Sequence, residues 1–501
     1  MPKFVFLWTD LILWLLAAGS ILYAWKVRNN RNLRATWHRI ALDAPAMCAA
    51  VLLGVFLVLA LADSIHFRPR LPAAPGAAAD APPAYATRTL SVLDRLLVHA
   101  IESREKTYSQ PLAYWSFQRE TAVVDGKEIR QFPRLLFGGA HLKNPETEWV
   151  GDLAGRSITG VLGGLVVALC VGGLLALALG RHYGGWRGAL GAITRGATEM
   201  PWRPMLVTFA FLAIFVGWVA VLWPAYHVFG TDRTGNDVLY EALKSVRTAV
   251  VIGSLSTIAT LPLAVAFGLL AGYFKGWVDD IIQYLYTVLS SIPPILLVAA
   301  FVLLINVYID ENVTSFETGV ERAEVRLFLL CIILGVTGWA TLCRLLRAET
   351  LKLTELEFVQ AARAFGVSHW RIMRRHVLPN VMHLVLIVAV LDFSALVLYE
   401  AVLSYVGVGV DPNTASFGSM INLARSEMSR DPSVWWNLAT AFIFMLALVL
   451  AANLFADAVR EAFDPRARTF KARRTAVAPA RVEPAPAAPA PQAITGDPVH
   501  G

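Results

Sequence analysis

An all-α polytopic membrane protein of about nine transmembrane helices, with one small extracytoplasmic insert, is what this 501-residue sequence predicts. Three observations carry that expectation. Hydrophobic residues make up 56% of the chain and charged residues 16%, and the mean hydropathy of +0.55 lies well above that of an ordinary soluble domain. About nine stretches reach the roughly 20 apolar residues that a helix needs to cross a bilayer. The short loops rich in Lys and Arg all fall on one side when those stretches alternate, as expected where positive charge is retained in the cytoplasm. The net charge of +7 therefore reflects topology, and nucleic acid is not a predicted partner. Cys48, Cys170, Cys331 and Cys343 lie in or beside apolar runs without paired metal-ligand spacing, so neither a disulfide framework nor a metal site is predicted.

In chain order the apolar stretches run near 4–25, 45–64, 157–180, 203–225, 249–273, 282–307, 326–346, 381–404 and 435–456. Asp10 interrupts the first, and its basic cluster follows rather than precedes it, so it reads as an uncleaved anchor and not a signal peptide. Arg28, Arg31, Arg34 and Arg39 after the first stretch, Arg181, Arg187 and Arg195 after the third, and Arg460 after the last place those loops inside. The expected orientation is an outside N-terminus and an inside C-terminus. Ser290-Ser291-Ile292-Pro293-Pro294 breaks the sixth stretch, giving either a static kink or a gate-forming bend.

Residues 65–156 form the predicted extracytoplasmic insert. It opens on the linker LPAAPGAAADAPPA, whose Pro and Ala content argues against a packed element. An amphipathic helix follows, with Val92, Leu96, Leu97 and Ile101 as its apolar face, and then a hairpin turning at Asp125-Gly126. The Pro/Ala-rich tail, 469–501, is too poor in large apolar groups to fold.

Gln360 to Pro379, QAARAFGVSHWRIMRRHVLP, lies between two apolar runs and reads as an ordered elbow. Glu349 to Ala364 suits a helix, Gly366 can take the left-handed conformation that ends it, and Ser368 can cap a second helix through Val377. Pro379 fits the first turn of the next span. Val359, Ala362 and Phe365 share one predicted apolar face, and Arg371, Arg374 and Arg375 charge the second helix. His369 and His376 read as polar surface residues. The competing reading of the segment is a basic loop lying in the headgroups.

This segment resembles the cytoplasmic signature of the permease subunits of ABC importers, in their dipeptide and oligopeptide branch. The signature is Glu-Ala-Ala, three residues, Gly, then a hydrophobic residue and Leu-Pro. The chain has Gln360-Ala361-Ala362, Gly366, Ile372 and Leu378-Pro379, with Gln360 in place of the acid. FGTDRTGNDV (Phe229 to Val238) resembles the branch's FGTDxxGRDV, with Asn236 where Arg is usual. Gly268 to Asp280, Leu403 to Val410 and Ala458 to Arg466 continue the likeness in order. The resemblance covers roughly 227–468, about half the chain, and implies a type I importer permease core with an ATPase-coupling loop at 347–379. It implies that Gln360, Ala361, Ala362, Gly366, Arg371, Ile372, Leu378 and Pro379 couple to cytoplasmic ATPases. Phe229, Gly230, Thr231, Asp232, Gly235 and Asp237 would lie outside, near the pore mouth and a docked binding protein. Read locally, the same turn is a cap, with Thr231 or Asp232 preceding a helix. The implied partners are a homologous second permease, two ATP-binding subunits, an extracytoplasmic substrate-binding protein and the lipid bilayer.

No Gly-x-x-x-x-Gly-Lys-Ser/Thr phosphate loop is present, so the chain is not expected to be an enzyme; ATP and Mg belong to partner subunits, and no cofactor or metal is expected here. Asp392 and Glu400 fall in the eighth stretch, where an ionisable group either lines a water-filled path or pairs between helices. The N-terminal half admits two readings. Of the N-terminal membrane spans (1–64) and the additional spans (157–226), residues 37–65 look like the branch's first span, or else the fourth stretch supplies it and the three earlier ones are accessory. Importers of another solute such as a metal chelate, an ion-coupled secondary transporter and a membrane-anchored scaffold are the competing functions. The expected location is the bacterial inner membrane.

Overall fold

The computed structural model describes residues 3–71, 85–86, 89–124, 127–312, 316, 318–412 and 414–463. The Pro/Ala linker beyond Leu71, the Asp125-Gly126 turn and the C-terminal tail lie outside the described residues. Among the described residues nine helices are long and apolar enough to cross a membrane.

The chain opens with β1 (Lys3–Val5), then α1 (Trp8–Asn29), α2 (Arg31–Leu42) and α3 (Ala44–Asp63). Short polar residues punctuate them. The Asn30 side chain accepts from Asn32 N to start α2, and Asp43 accepts from Ala46 N at 3.2 Å to start α3. Ile40 and Trp37 of α2 pack on Ala458, Val459 and Phe463 near the chain's last described residues.

The insert is built from β2 (His66–Arg68), which pairs antiparallel with both β1 and β3 (Leu90–Ser91), then α4 (Val92–Leu96) and α5 (Val98–Glu102). The single amphipathic helix expected here is two short ones. They break at Leu97, and the buried apolar residues are Leu93, Leu97 and Ala100, while Leu96 is 72% exposed. Their faces answer to neighbouring elements rather than to one continuous helical stripe. The hairpin forms as β4 (Glu120–Val124) against β5 (Lys127–Gln131).

Helix α6 (Pro145–Leu179) begins twelve residues before its apolar stretch, so its first three turns project about 18 Å beyond that stretch at 1.5 Å per residue. After α7 (Trp186–Arg195), α8 (Trp202–Leu222) returns against α6. Lipid supplies little hydrophobic drive between helices, so close backbone approach has to hold this pair. A Cβ on Gly164 would meet Ala213 O at 2.3 Å, and one on Gly160 would meet Gly217 O at 2.7 Å.

Helix α9 (Val238–Phe274) is the axis of the remainder, with α10 (Gly276–Ser291), α11 (Pro294–Glu311), α12 (Gly319–Gly338) and α13 (Ala340–Thr354) following. The break at Pro293-Pro294 is more than a kink. Ile292 and Pro293 are both extended, so α10 and α11 are separate helices, because a residue preceding proline is pushed out of the helical region. Then come α14 (Glu357–Ala364), α15 (His369–Ile372), a π turn (Met373–Val377), α16 (Leu378–Val406), α17 (Phe417–Glu427) and α18 (Trp436–Phe463). Helix α3 packs on α9 and α18 through Phe56, Leu52 and Leu53 against Val246, Ala249 and Leu448.

Candidate functional site

The elbow begins where α13 ends. Rather than one helix from Glu349 to Ala364, the chain stops at Thr354 and restarts at Glu357. Glu355 at the break pairs with Lys275 at 2.6 Å, and that contact lowers its carboxyl pKa below the usual value. Gln360 donates from Nε2 to Glu355 O at 3.1 Å, a bond that an ionised acid at this position could not make. Gly366 has φ +71, with its N–H bonded to Arg363 O and the Val367 N–H to Ala362 O. This is the left-handed helix end that the sequence anticipates. Ser368 stands at the start of α15 but makes no side-chain cap. The π turn precedes Pro379, a place where a missing N–H and a bulky ring disturb regular helical bonding.

One side of the elbow is core. Val359, Ile372 and Val377 are fully buried and Met373 nearly so, packed with Tyr273 of α9, Cys343 and Leu346 of α13 and Val381 of α16. Ile372 therefore holds the elbow in place and is not available to a partner. Phe365 does not share the inward face with Val359 and Ala362; it is 86% exposed. His369 is not alone either, since its Nδ1 lies 2.9 Å from the Tyr273 hydroxyl, whereas the His376 ring lies tilted beside Phe358. Gln360, Ala361, Gly366, Arg371 and Pro379 are exposed, and Ala362 and Leu378 are half-buried. Around them stand Phe365, Trp370 (69% exposed) and Phe358, which motif matching alone passes over. Large aromatic residues on either side of a helix-ending glycine are the signal that could have found them.

At the opposite end of α9 the Phe229–Asp237 turn is covered by the insert. Thr231 is fully buried, donates to Thr107 O at 2.9 Å and accepts from Ser109 N at 2.7 Å. Trp436 donates to Thr231 O, and Tyr108 and Phe117 of the insert pack around the same indole in the core. Gly230 lies against Ser109, and Gly235, with φ +80, lies so close to Glu105 that a Cβ would come within 1.8 Å of Glu105 O. Phe229 is half-buried against Phe215 and Phe444. The cap of α9 is neither Thr231 nor Asp232 but Asp237, which accepts from Leu239 N at 2.9 Å. Asp232 instead closes the turn by accepting from Thr234 N and Asn236 N. These residues hold the insert to the core and do not form a free surface.

His227 is the electrostatic centre of that joint. Burial opposes its charge, but Asp237 at 2.9 Å and Glu105 at 3.6 Å raise the imidazole from 6.5 to about 9. Burial would raise Glu105, yet the bond with His227 and the N–H groups of Leu136, Phe137 and Gly138 hold its carboxyl below the usual range. An unfolded imidazole titrates near 6.5. The charged clamp therefore stabilises fully below that pH, and its contribution is lost as pH rises through about 9. Thermal denaturation from pH 6 to 10 should show a falling midpoint that His227→Gln flattens; an identical slope in the variant would remove His227 from the account.

Charged groups inside the spans separate into paired and unpaired. Arg247 of α9 bonds Asp10 of α1 at 2.5 Å and Glu324 of α12 at 2.7 Å, Thr9 bonds Glu324, and His66 reaches Asp10 at 2.7 Å. Lys244 bonds Asp63 at 2.8 Å and Asp94 of the insert at 2.9 Å. Glu400 is 2% exposed, accepts from Ser404 of its own helix at 2.6 Å and lies against Gly418 of α17. Asp392, midway along α16, has no such bond among the described residues.

Residues 264–469 match the family described as binding-protein-dependent transport system inner membrane component. The chain is 31% identical over 245 residues to the oligopeptide transport system permease protein OppC of Mycobacterium tuberculosis, covering 49% of this chain and 78% of that one. It is 29% identical over 241 residues to the dipeptide transport system permease protein DppC of Lactococcus lactis, covering 48% and 64%. It is 31% identical over 243 residues to the glutathione transport system permease protein GsiD of Pectobacterium atrosepticum, covering 48% and 74%. Among solved structures, an inward-facing MetNI methionine ABC transporter aligns with 45% of this chain and 97% of its own at 17% identity and a TM-score of 0.34, too loose a likeness to decide anything.

Proposed function

The chain belongs to the binding-protein-dependent transport inner membrane components, the permeases of ABC importers of the peptide type, and on that premise we propose that it forms half of a peptide path and takes its power through the elbow. The observation that carries the coupling is the elbow's two-sidedness. Val359, Ile372 and Val377 weld it to α9, α13 and α16, while Phe365, Trp370 and Phe358 stand out in solvent. Exposed aromatics on a rigid helix pair are suited to a groove in a partner. The partner is an ATP-binding subunit on the cytoplasmic side, where ATP and Mg are bound. Because the π turn and Pro379 run directly into α16, displacement of the elbow is passed to a membrane helix.

The loop charges support an outside N-terminus and an inside C-terminus in the bacterial inner membrane. A homologous second permease completes the path, two ATP-binding subunits drive it, and an extracytoplasmic binding protein delivers the peptide as access alternates. In vesicles carrying all these subunits, ATP should drive uptake of a labelled peptide. A chain with Phe365→Asp should express and insert, yet lose both the co-purifying ATPase and uptake, because a desolvated acid in an aromatic contact has no partner. Retention of the ATPase by that variant would separate the elbow from coupling. Uptake driven by an ion gradient without ATP would favour a secondary transporter instead.

A further inference from the structure

The acids Asp10, Asp63, Glu324 and Glu400 are all buried, and each holds a hydrogen-bond partner within the chain. Asp392 breaks that pattern. It lies half-buried at the middle of α16, about 21 Å from either end of the helix at 1.5 Å per residue, and among the described residues it has no hydrogen bond or ion pair. The rotation of α16 accounts for this. Phe393 is seated against Gly253 of α9, where a Cβ would come within 2.6 Å of the ring, so the neighbouring Asp392 is turned away from α9 and its polar groups. From Asp392 the helix presents Ala395, Val402 and Val406 on one side, at steps of three, ten and fourteen, and all three are exposed.

An ionised acid at mid-membrane does not face hydrocarbon; it faces water, a path or a partner cation. An acid left unsatisfied beside the exposed Ala395, Val402 and Val406 describes a site that something outside this chain completes. Resting on the peptide-importer reading above, we infer that Asp392 recognises the positively charged amino terminus of the peptide as it passes between the two permeases. Asp392 then contributes to selectivity after the binding protein has released its cargo. The carboxylate accepts from the ammonium group.

The complete importer, reconstituted in proteoliposomes with its binding protein and ATPases, tests this with trialanine and N-acetyl-trialanine, each supplied at a concentration that saturates the binding protein. Hydrogen bonds to charged groups are strong enough that Asp392→Asn should lower the ratio of trialanine to N-acetyl-trialanine uptake about ten-fold, with the subunit composition of the complex unchanged. Asp392→Glu should retain most of the wild-type ratio. An unchanged ratio in the Asn variant would overturn the inference, as would loss of the second permease from that variant, which would assign the acid to the subunit interface. A wild-type complex that transports neither peptide with ATP would bring down the peptide-importer reading and this inference with it.

Discussion

A Gly366→Pro chain should reach the membrane with its partners and transport nothing, with ATP hydrolysis no longer stimulated by the loaded binding protein. The reason lies in two local facts. Gly366 has φ +71, while a proline ring fixes φ near −65°, so the left-handed turn cannot form. The Gly366 N–H that bonds Arg363 O at 2.9 Å also disappears. Nothing lies within 4 Å of where a Cβ on Gly366 would sit, so the effect is conformational and not a clash. Gly366→Ala is the graded control: an L residue in this region bears about 1–2 kcal/mol of strain, and partial uptake is expected. Because the elbow's core contacts run through Val359 and Ile372, the spans should stay folded. Uptake by the proline variant equal to wild type would show that the turn's geometry is not used in coupling.

Replacing Arg247 with Met should destabilise the protein by about 3–5 kcal/mol, since it leaves Asp10 and Glu324 buried without their cation. The guanidinium is 6% exposed and is, among the described residues, the one group bonded to both acids. Its loss should lower the thermal midpoint of the purified permease and free α1, detectable as faster proteolysis near Asn29. Asp10→Asn and Glu324→Gln, added to Arg247→Met, should recover most of the midpoint because neutral amides no longer demand a counter-charge. If Arg247→Met alone leaves the midpoint in place, the network adds nothing to stability.

Features with a short sequence range were legible beforehand. Each membrane span is a continuous apolar run, the hairpin announces itself by β-prone residues on either side of Asp125-Gly126, and Gly366 marks its own turn. What could not be read depends on distant partners. The polar first turns of α6 and α9 carry no hydropathy signal, and α9's are ordered by the insert that packs on them. Phe365 looked inward by helical spacing, but α14 ends at Ala364, so the periodicity had already lapsed when it placed Phe365. Asp237 outcompeted Thr231 and Asp232 as the cap because those two were engaged by the insert and by the turn itself. The helix-Gly-helix elbow forms where Gly366 predicts it. The resemblance could not foresee that residues 105–117, absent from the motif, would bury the turn.

The distance along the chain between Asp10 and Arg247 sets an order of events during synthesis. They are 237 residues apart, so at about 5–20 residues per second the first helix waits on the order of tens of seconds for its cation. His66, only 56 residues on, is made far sooner and can hold Asp10 in the interval. Glu324 is translated last, 77 residues after Arg247. Closure of the network therefore reports that α1, α9 and α12 have all been inserted, and a ribosome stalled before residue 324 leaves behind a chain whose buried arginine still lacks one of its two acids.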